Sequence, residues 1–209
     1  MAINTYATLK TAVATWVGGG ETATAATLGL TNTIDDLVTI AESRIFREAK
    51  TKDTEASFST AIASGVVAVP SDYIAAKFLY VDSVPTQIME PRSSEWIYQT
   101  YPTRSSEGKP KYFAREVTNF IFGPFPDSLY TIKGVYYKRL AALSSAAHAL
   151  FTNNPDLYLF GCLAETAILI GPDPRIPLWE QKYQKILSDV NGHSKNSEYA
   201  GGTLRMRIS

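Results

Sequence analysis

The stretch from Ser71 to Leu140 limits the fold more than any other, because its prolines forbid a long helix and its composition asks for a sheet. Pro124 and Pro126 follow in close succession, and a helix interior tolerates neither. Around them lie short runs rich in aromatic and β-branched residues: Tyr112 to Glu116, Phe120-Ile121-Phe122, and Leu129 to Tyr137. Such side chains suit a pleated, half-buried surface, while the Asn, Gly, Pro and Asp between them make turns. The pattern predicts a three-stranded antiparallel meander. Earlier in the chain, Glu55 to Val69 reads as two short strands about a Ser64-Gly65 turn. Ala76–Val81 and Thr86–Glu90 are further strand candidates, and Ser93 or Ser94 can cap a short helix carrying Trp96, Ile97 and Tyr98.

The flanks read as helices. Tyr6, Leu9, Val13 and Trp16 share one face of a first helix that ends at Gly18-Gly19-Gly20. Glu21 to Gly29 has no periodicity and reads as a loop. A Thr31 or Thr33 cap, with Asp35 and Asp36 in the first turn, opens a second helix. Its apolar stripe is Ile34, Leu37, Val38, Ala41, Ile45 and Ala49. Arg44, Arg47 and Glu48 lie largely outside it, either as a solvated face or as a contact with another subunit.

After the sheet, Asn153 or Asn154 caps a helix with Pro155 at its first position. Leu157, Tyr158, Phe160, Leu163, Ala164, Ala167, Ile168 and Ile170 surround that helix on nearly every side, so it is central or covered by a neighbouring subunit. Glu165 is the exception, and a carboxylate there needs a partner. Arg44 or Arg47 is the natural candidate for an inter-helix or inter-subunit ion pair. Trp179, Tyr183, Ile186, Leu187 and Val190 line a last amphipathic helix, with Asn191-Gly192 as its stop. In Thr203-Leu204-Arg205-Met206-Arg207-Ile208, apolar and basic residues alternate. This is a strand pattern without an evident partner in its own chain, and equally the pattern of a frayed terminus.

The expected architecture is therefore α+β. Residues 1–54 and 141–192 form an antiparallel helical bundle, residues 55–140 an inserted antiparallel β-sheet module with a short helix, and residues 193–209 an extended C-terminal tail.

Composition excludes several classes of function. The 209 residues carry 20 basic and 20 acidic side chains. A chain that grips nucleic acid through its phosphates needs a basic excess or stripe, and neither is present. The single cysteine, Cys162, lies in an apolar helical run and reads as a buried, inert thiol. The N-terminus has no signal-peptide pattern, and the run Leu157–Ile170 is shorter than the roughly 20 residues a membrane span requires. A soluble protein of a cytoplasm-like setting is expected. His148 and His193 have no neighbours at metal-ligand spacing and read as surface residues. No phosphate-binding glycine loop, nucleophile elbow or carboxylate dyad is visible. No catalytic residue, cofactor site or metal site is assigned, and the chain reads as a non-enzyme.

The order of its pieces resembles the head-to-tail adaptor proteins of tailed bacteriophages, the connector, gatekeeper or tail-tube A-type subunits. The likeness rests on Thr33-Ile34-Asp35-Asp36-Leu37-Val38, Val69-Pro70-Ser71-Asp72-Tyr73 and Gly108-Lys109-Pro110-Lys111-Tyr112. It continues through Phe120-Ile121-Phe122-Gly123-Pro124-Phe125-Pro126-Asp127, Tyr130 to Tyr137, Asn153-Asn154-Pro155-Asp156-Leu157 and Trp179-Glu180-Gln181-Lys182-Tyr183. It ends at Tyr199-Ala200-Gly201-Gly202-Thr203-Leu204-Arg205-Met206.

The resemblance implies a structural virion protein at the head–tail junction, made in the host cytoplasm. Such subunits form a ring, typically a dodecamer, under the portal protein, extend the DNA channel and dock the tail nozzle or tube. The expected partners are the portal, the tail protein and other copies of the chain; DNA passes through without specific binding, and no membrane is involved. Leu204, Met206 and Ile208 are expected to anchor on the portal or a neighbouring subunit, with Arg205 and Arg207 meeting acidic groups. Two other readings are a tail-associated enzyme that cuts cell-wall polymer, which requires paired carboxylates in a cleft, and a carbohydrate-binding module, which requires exposed coplanar aromatics on the sheet.

Overall fold

A computed structural model describes residues 2–18, 31–103, 107–171 and 173–199. In chain order its elements begin with α1 (Tyr6–Gly18), α2 (Thr31–Glu48) and a 3-10 turn (Lys52–Thr54). Next come β1 (Glu55–Ile62), β2 (Val66–Ala68), β3 (Tyr73–Val81), β4 (Gln87–Pro91), α3 (Ser94–Thr100), β5 (Tyr112–Glu116), β6 (Asn119–Gly123) and β7 (Tyr130–Lys138). The last are α4 (Ala149–Asn153), α5 (Pro155–Glu165), α6 (Ala167–Ile170) and α7 (Ile176–Tyr199). The chain divides into two compact units, Met1–Thr54 with Leu140–Ser209, and Glu55–Arg139.

The second unit is one seven-stranded sheet in the order β1-β7-β3-β4-β5-β6-β2. Its two outermost strands, β1 and β2, are consecutive in the chain and separated only by Ala63-Ser64-Gly65, so the sheet curls until it nearly closes. Closure buries one face of each strand. Phe58, Leu79, Met89, Phe113, Phe120, Phe122, Ile132 and Tyr136 form that interior. Six strand neighbours imply six pairings, and five are antiparallel; β4 and β5 run parallel through Glu90↔Tyr112 and Pro91↔Phe113.

The meander expected from the sequence does not form. β5 and β6 make a hairpin, but β7 leaves them and runs between β1 and β3. Pro124 and Pro126 carry the chain away from β6, since proline has no N–H to extend a ladder. Gly134 then makes the central position of β7 possible. A Cβ there would run into the Phe78 carbonyl oxygen and the Leu79 side chain.

In the first unit, α5 packs against α1, α2, α4 and α7. Leu157, Tyr158, Cys162 and Leu163 on α5 are fully buried, together with Leu9, Val13, Ala41, Ile45 and Tyr183 from its neighbours. Thr166 separates α5 from α6; it is buried and its hydroxyl donates to the Leu163 carbonyl at 2.6 Å. Gly171 follows α6 with a φ of 70°, a backbone region that favours glycine.

Asn191-Gly192 does not stop the last helix, and α7 continues to Tyr199. Asn191 serves another helix end. Its amide oxygen accepts from the Lys50 N–H at 2.8 Å and its amide nitrogen donates to the Glu48 carbonyl at 3.2 Å. The exposed end of α2 is thus capped by α7, and Ser194 accepts from the Lys52 N–H in the same way.

The architecture corrects the expected fold class. The chain is mixed helix and sheet, with a nearly closed seven-stranded sheet, rather than an antiparallel helical bundle with an inserted antiparallel module. Residues 193–199, expected in an extended tail, belong to α7. The expected loop at Glu21–Gly29 and the alternating segment at Leu204–Ile208 lie outside the described residues.

Candidate functional site

Arg44 is the best-connected charge in the helical unit. It sits beside the apolar stripe of α2, and its side chain is 18% exposed. Nη1 lies 3.0 Å from Glu165 Oε1 on α5 and 2.9 Å from Glu180 Oε2 on α7. Nη2 donates to the other oxygen of Glu180, making that contact bidentate. One turn along α2, Glu48 approaches Nε at 3.4 Å. The guanidinium carbon stands 4.4 Å from the Tyr183 ring centroid, and Tyr183 donates its hydroxyl to Glu48 Oε2 at 2.8 Å.

The electrostatics follow from this geometry. The bonds to Glu180 and then Glu165, opposed by desolvation, hold Arg44 above the usual arginine range. Arg44 in turn holds Glu180 below the usual carboxylate range. Burial, and then the bond to Glu48, raises the Tyr183 phenol. A planar cation shared by carboxylates from α2, α5 and α7 fixes three helices in register. It is a tie between helices of one chain.

Arg47, the other candidate partner of Glu165, is exposed. Leu204, Arg205, Met206, Arg207 and Ile208 lie outside the described residues. His193 is exposed, but His148 is more than a surface residue. Its Nδ1 accepts from the Phe151 N–H at 3.3 Å, capping α4, and its Nε2 lies 3.3 Å from the Tyr158 hydroxyl. With Nδ1 accepting, the neutral ring carries its proton on Nε2 and donates to Tyr158. Cys162 is fully buried, which pushes its thiol well above the usual range.

Sequence reasoning missed Glu42, which is 5% exposed and accepts from the Leu143 N–H at 2.7 Å. Burial raises its pKa and the Leu143 bond partly offsets the rise. Its position carried the signal: Glu42 lies one turn after Val38 and just before Ile45, on the buried stripe. Glu180 and Tyr183 were missed as partners of Arg44 because only the tertiary fold brings α7 to α2.

Among the described residues, no group of three or more His, Cys, Asp or Glu stands ready to hold a metal ion. No helix among them is long and apolar enough to cross a membrane. The sheet's aromatic rings are mostly interior and meet edge to face, as in Phe58–Phe120, Tyr73–Phe120 and Phe113–Phe120. Phe78 and Tyr80 differ, stacking at 20° on the outer face.

No curated protein matches the chain at a significant level. A family model, that of the SU10 adaptor protein, matches residues 4–207. The match runs through both compact units and through the helices that carry the Arg44 tie, so the chain belongs to the SU10 adaptor protein family.

Proposed function

We propose that this adaptor is a structural subunit of a bacteriophage virion that acts by association. It forms a ring, a dodecamer, under the portal, extends the DNA channel and docks the tail. The observation that carries this reading is the match of the adaptor family over residues 4–207. Zero net charge suits a conduit through which DNA slides without sticking.

The sheet offers a surface for subunit contact. Tyr80 and Ile88 are directly opposed across β3 and β4, with Phe78 beside Tyr80. Ile88 is 71% exposed and Phe78 41%, so an apolar strip faces outward. The Arg44 tie gives the helical unit a fixed shape to present. Leu204, Met206 and Ile208 anchor the C-terminus on the portal or a neighbouring subunit, and Arg205 and Arg207 pair with acidic groups.

Removing residues 203–209 and measuring co-sedimentation with the portal from the same genome tests the anchor. The shortened chain is expected to lose attachment while keeping the wild-type circular dichroism spectrum. Attachment at the wild-type level would contradict the assignment of these residues.

A further inference from the structure

β4 lies inside the sheet but stops before either neighbour does. Its ladder covers Leu79–Val81 on β3 and Tyr112–Phe113 on β5. It runs antiparallel to β3 and parallel to β5, so its continuation would face Tyr73–Phe78 on one side and Ala114–Glu116 on the other. The chain leaves that course early. The Arg92 N–H still donates to the Phe113 carbonyl at 2.9 Å, and Ser93 then caps α3. Where β4 would have run on, a cavity of about 500 Å³ opens. Tyr73, Ala76 and Lys77 wall it from β3, and Phe113, Ala114 and Arg115 from β5.

We propose that this gap is an acceptor slot for an extended, acidic segment of a partner protein, which completes the sheet as a strand in line with β4. Strands on either side of one missing strand stand two spacings apart, about 10 Å, which admits a single extended chain. The backbone selects an extended polypeptide. Lys111 and Phe113 turn their carbonyls to β4, where they accept from the Glu90 and Arg92 N–H groups. Strand alternation turns the N–H and C=O of Arg115 the same way, into the slot. Such an edge binds a chain that supplies N–H and C=O groups at matching intervals. Charge then selects the side chains. Lys77, Arg92 and Arg115 line the slot against one carboxylate, Glu90. Glu90 pairs with Arg92 at 2.8 Å, and Lys77 pairs with Glu55 at 2.8 Å. Exposed Arg115 has no carboxylate partner among the described residues. Its Nε donates to the Val117 carbonyl at 3.3 Å, and its guanidinium carbon lies 5.3 Å from the Tyr73 ring centroid. A carboxylate on the incoming strand would pair with it. Buried Met89 and Phe113 give the slot an apolar floor, so the segment that fits alternates acidic and apolar residues. This inference rests on the sheet alone, goes beyond the adaptor reading, and holds whether or not the chain forms a ring.

The test uses the full-length chain and a fluorescent peptide of that chemistry, Val-Glu-Val-Glu-Val, read by anisotropy and by hydrogen–deuterium exchange. Binding is expected, with exchange slowed in Tyr73–Phe78 and Ala114–Glu116. A peptide with both glutamates changed to lysine is expected not to bind. Nor is an N-methylated peptide, which keeps the charges but lacks the backbone donors. Arg115→Glu is expected to weaken binding about tenfold and Arg115→Gln about threefold, each with the wild-type circular dichroism spectrum. The proposal is overturned if wild type fails to bind the acidic peptide at about 1 mM, or if the lysine or N-methylated peptide binds equally well. It is also overturned if slowed exchange falls outside the two flanking strands, or if folded Arg115 variants bind as wild type does. A single-stranded thymidine oligonucleotide that protects the same amides in place of the peptide would overturn it too, by assigning the slot to phosphate.

Discussion

Replacing Arg44 with alanine removes one cation and leaves the carboxylates of Glu48, Glu165 and Glu180 facing one another on three helices. Breaking a charge network this far buried costs about 2–3 kcal/mol, less than a fully buried pair because solvent screens the exposed side of Glu180. Urea denaturation of Arg44→Ala measures that loss. Exchanging the charges as Arg44→Glu with Glu165→Arg is expected to recover only part of it, since Glu48 and Glu180 still face the new glutamate. His148 carries a pH dependence. Burial lowers its pKa, and the nearby Asp53 charge only partly offsets this, so the folded chain holds fewer protons than the unfolded one. Its contribution is present above the ordinary value of 6.5 and is lost as pH falls through the lowered one. The melting temperature is expected to drop from pH 7 towards pH 5, and His148→Asn, which keeps an acceptor at the cap, to flatten the curve. Glu180 has the same sign at lower pH, its contribution fading as pH falls below about 4.5. At this scale the sequence was informative where a residue broke a pattern, as Glu165 does in an apolar helix. It was silent on Glu180, which breaks none.

Elements were legible where local rules acted alone. Pro155 opens α5, and Ser93 Oγ accepts from the Trp96 N–H to start α3. They were misread where a tertiary partner overrode those rules. Asn191 has the composition of a helix stop, yet its side chain is committed to the end of α2, and α7 runs on. Asn191→Ala is expected to cost about 1–2 kcal/mol, more than an ordinary surface change, because a backbone donor and an acceptor lose their cap together. Strand existence was read correctly for β5, β6 and β7, but hydrophobic alternation does not say which strands pair. Gly134 decides the matter for β7 by letting it lie flat against β3. Gly134→Ala places a methyl group against the Phe78 carbonyl oxygen and the Leu79 side chain, and is expected to destabilise the sheet by about 3 kcal/mol. A thermal melt within a degree of wild type would refute the close approach.

For the whole molecule, membership of the adaptor family directs attention to assembly. An exposed apolar strip on the sheet and a cross-tied helical unit are features suited to repeated contact between identical copies, and rotation about one axis closes such contacts into a ring. Fold class was the poorest inference from sequence, because near closure of the sheet depends on β1 and β2 meeting at its two edges. The measurement that bears most directly on the account is the mass and shape of the chain in solution, by light scattering and negative-stain imaging, alone and with the portal of the same genome. The account predicts a ring of about a dozen subunits, formed freely or recruited by the portal. A monomer that stays monomeric when the portal is added would contradict it.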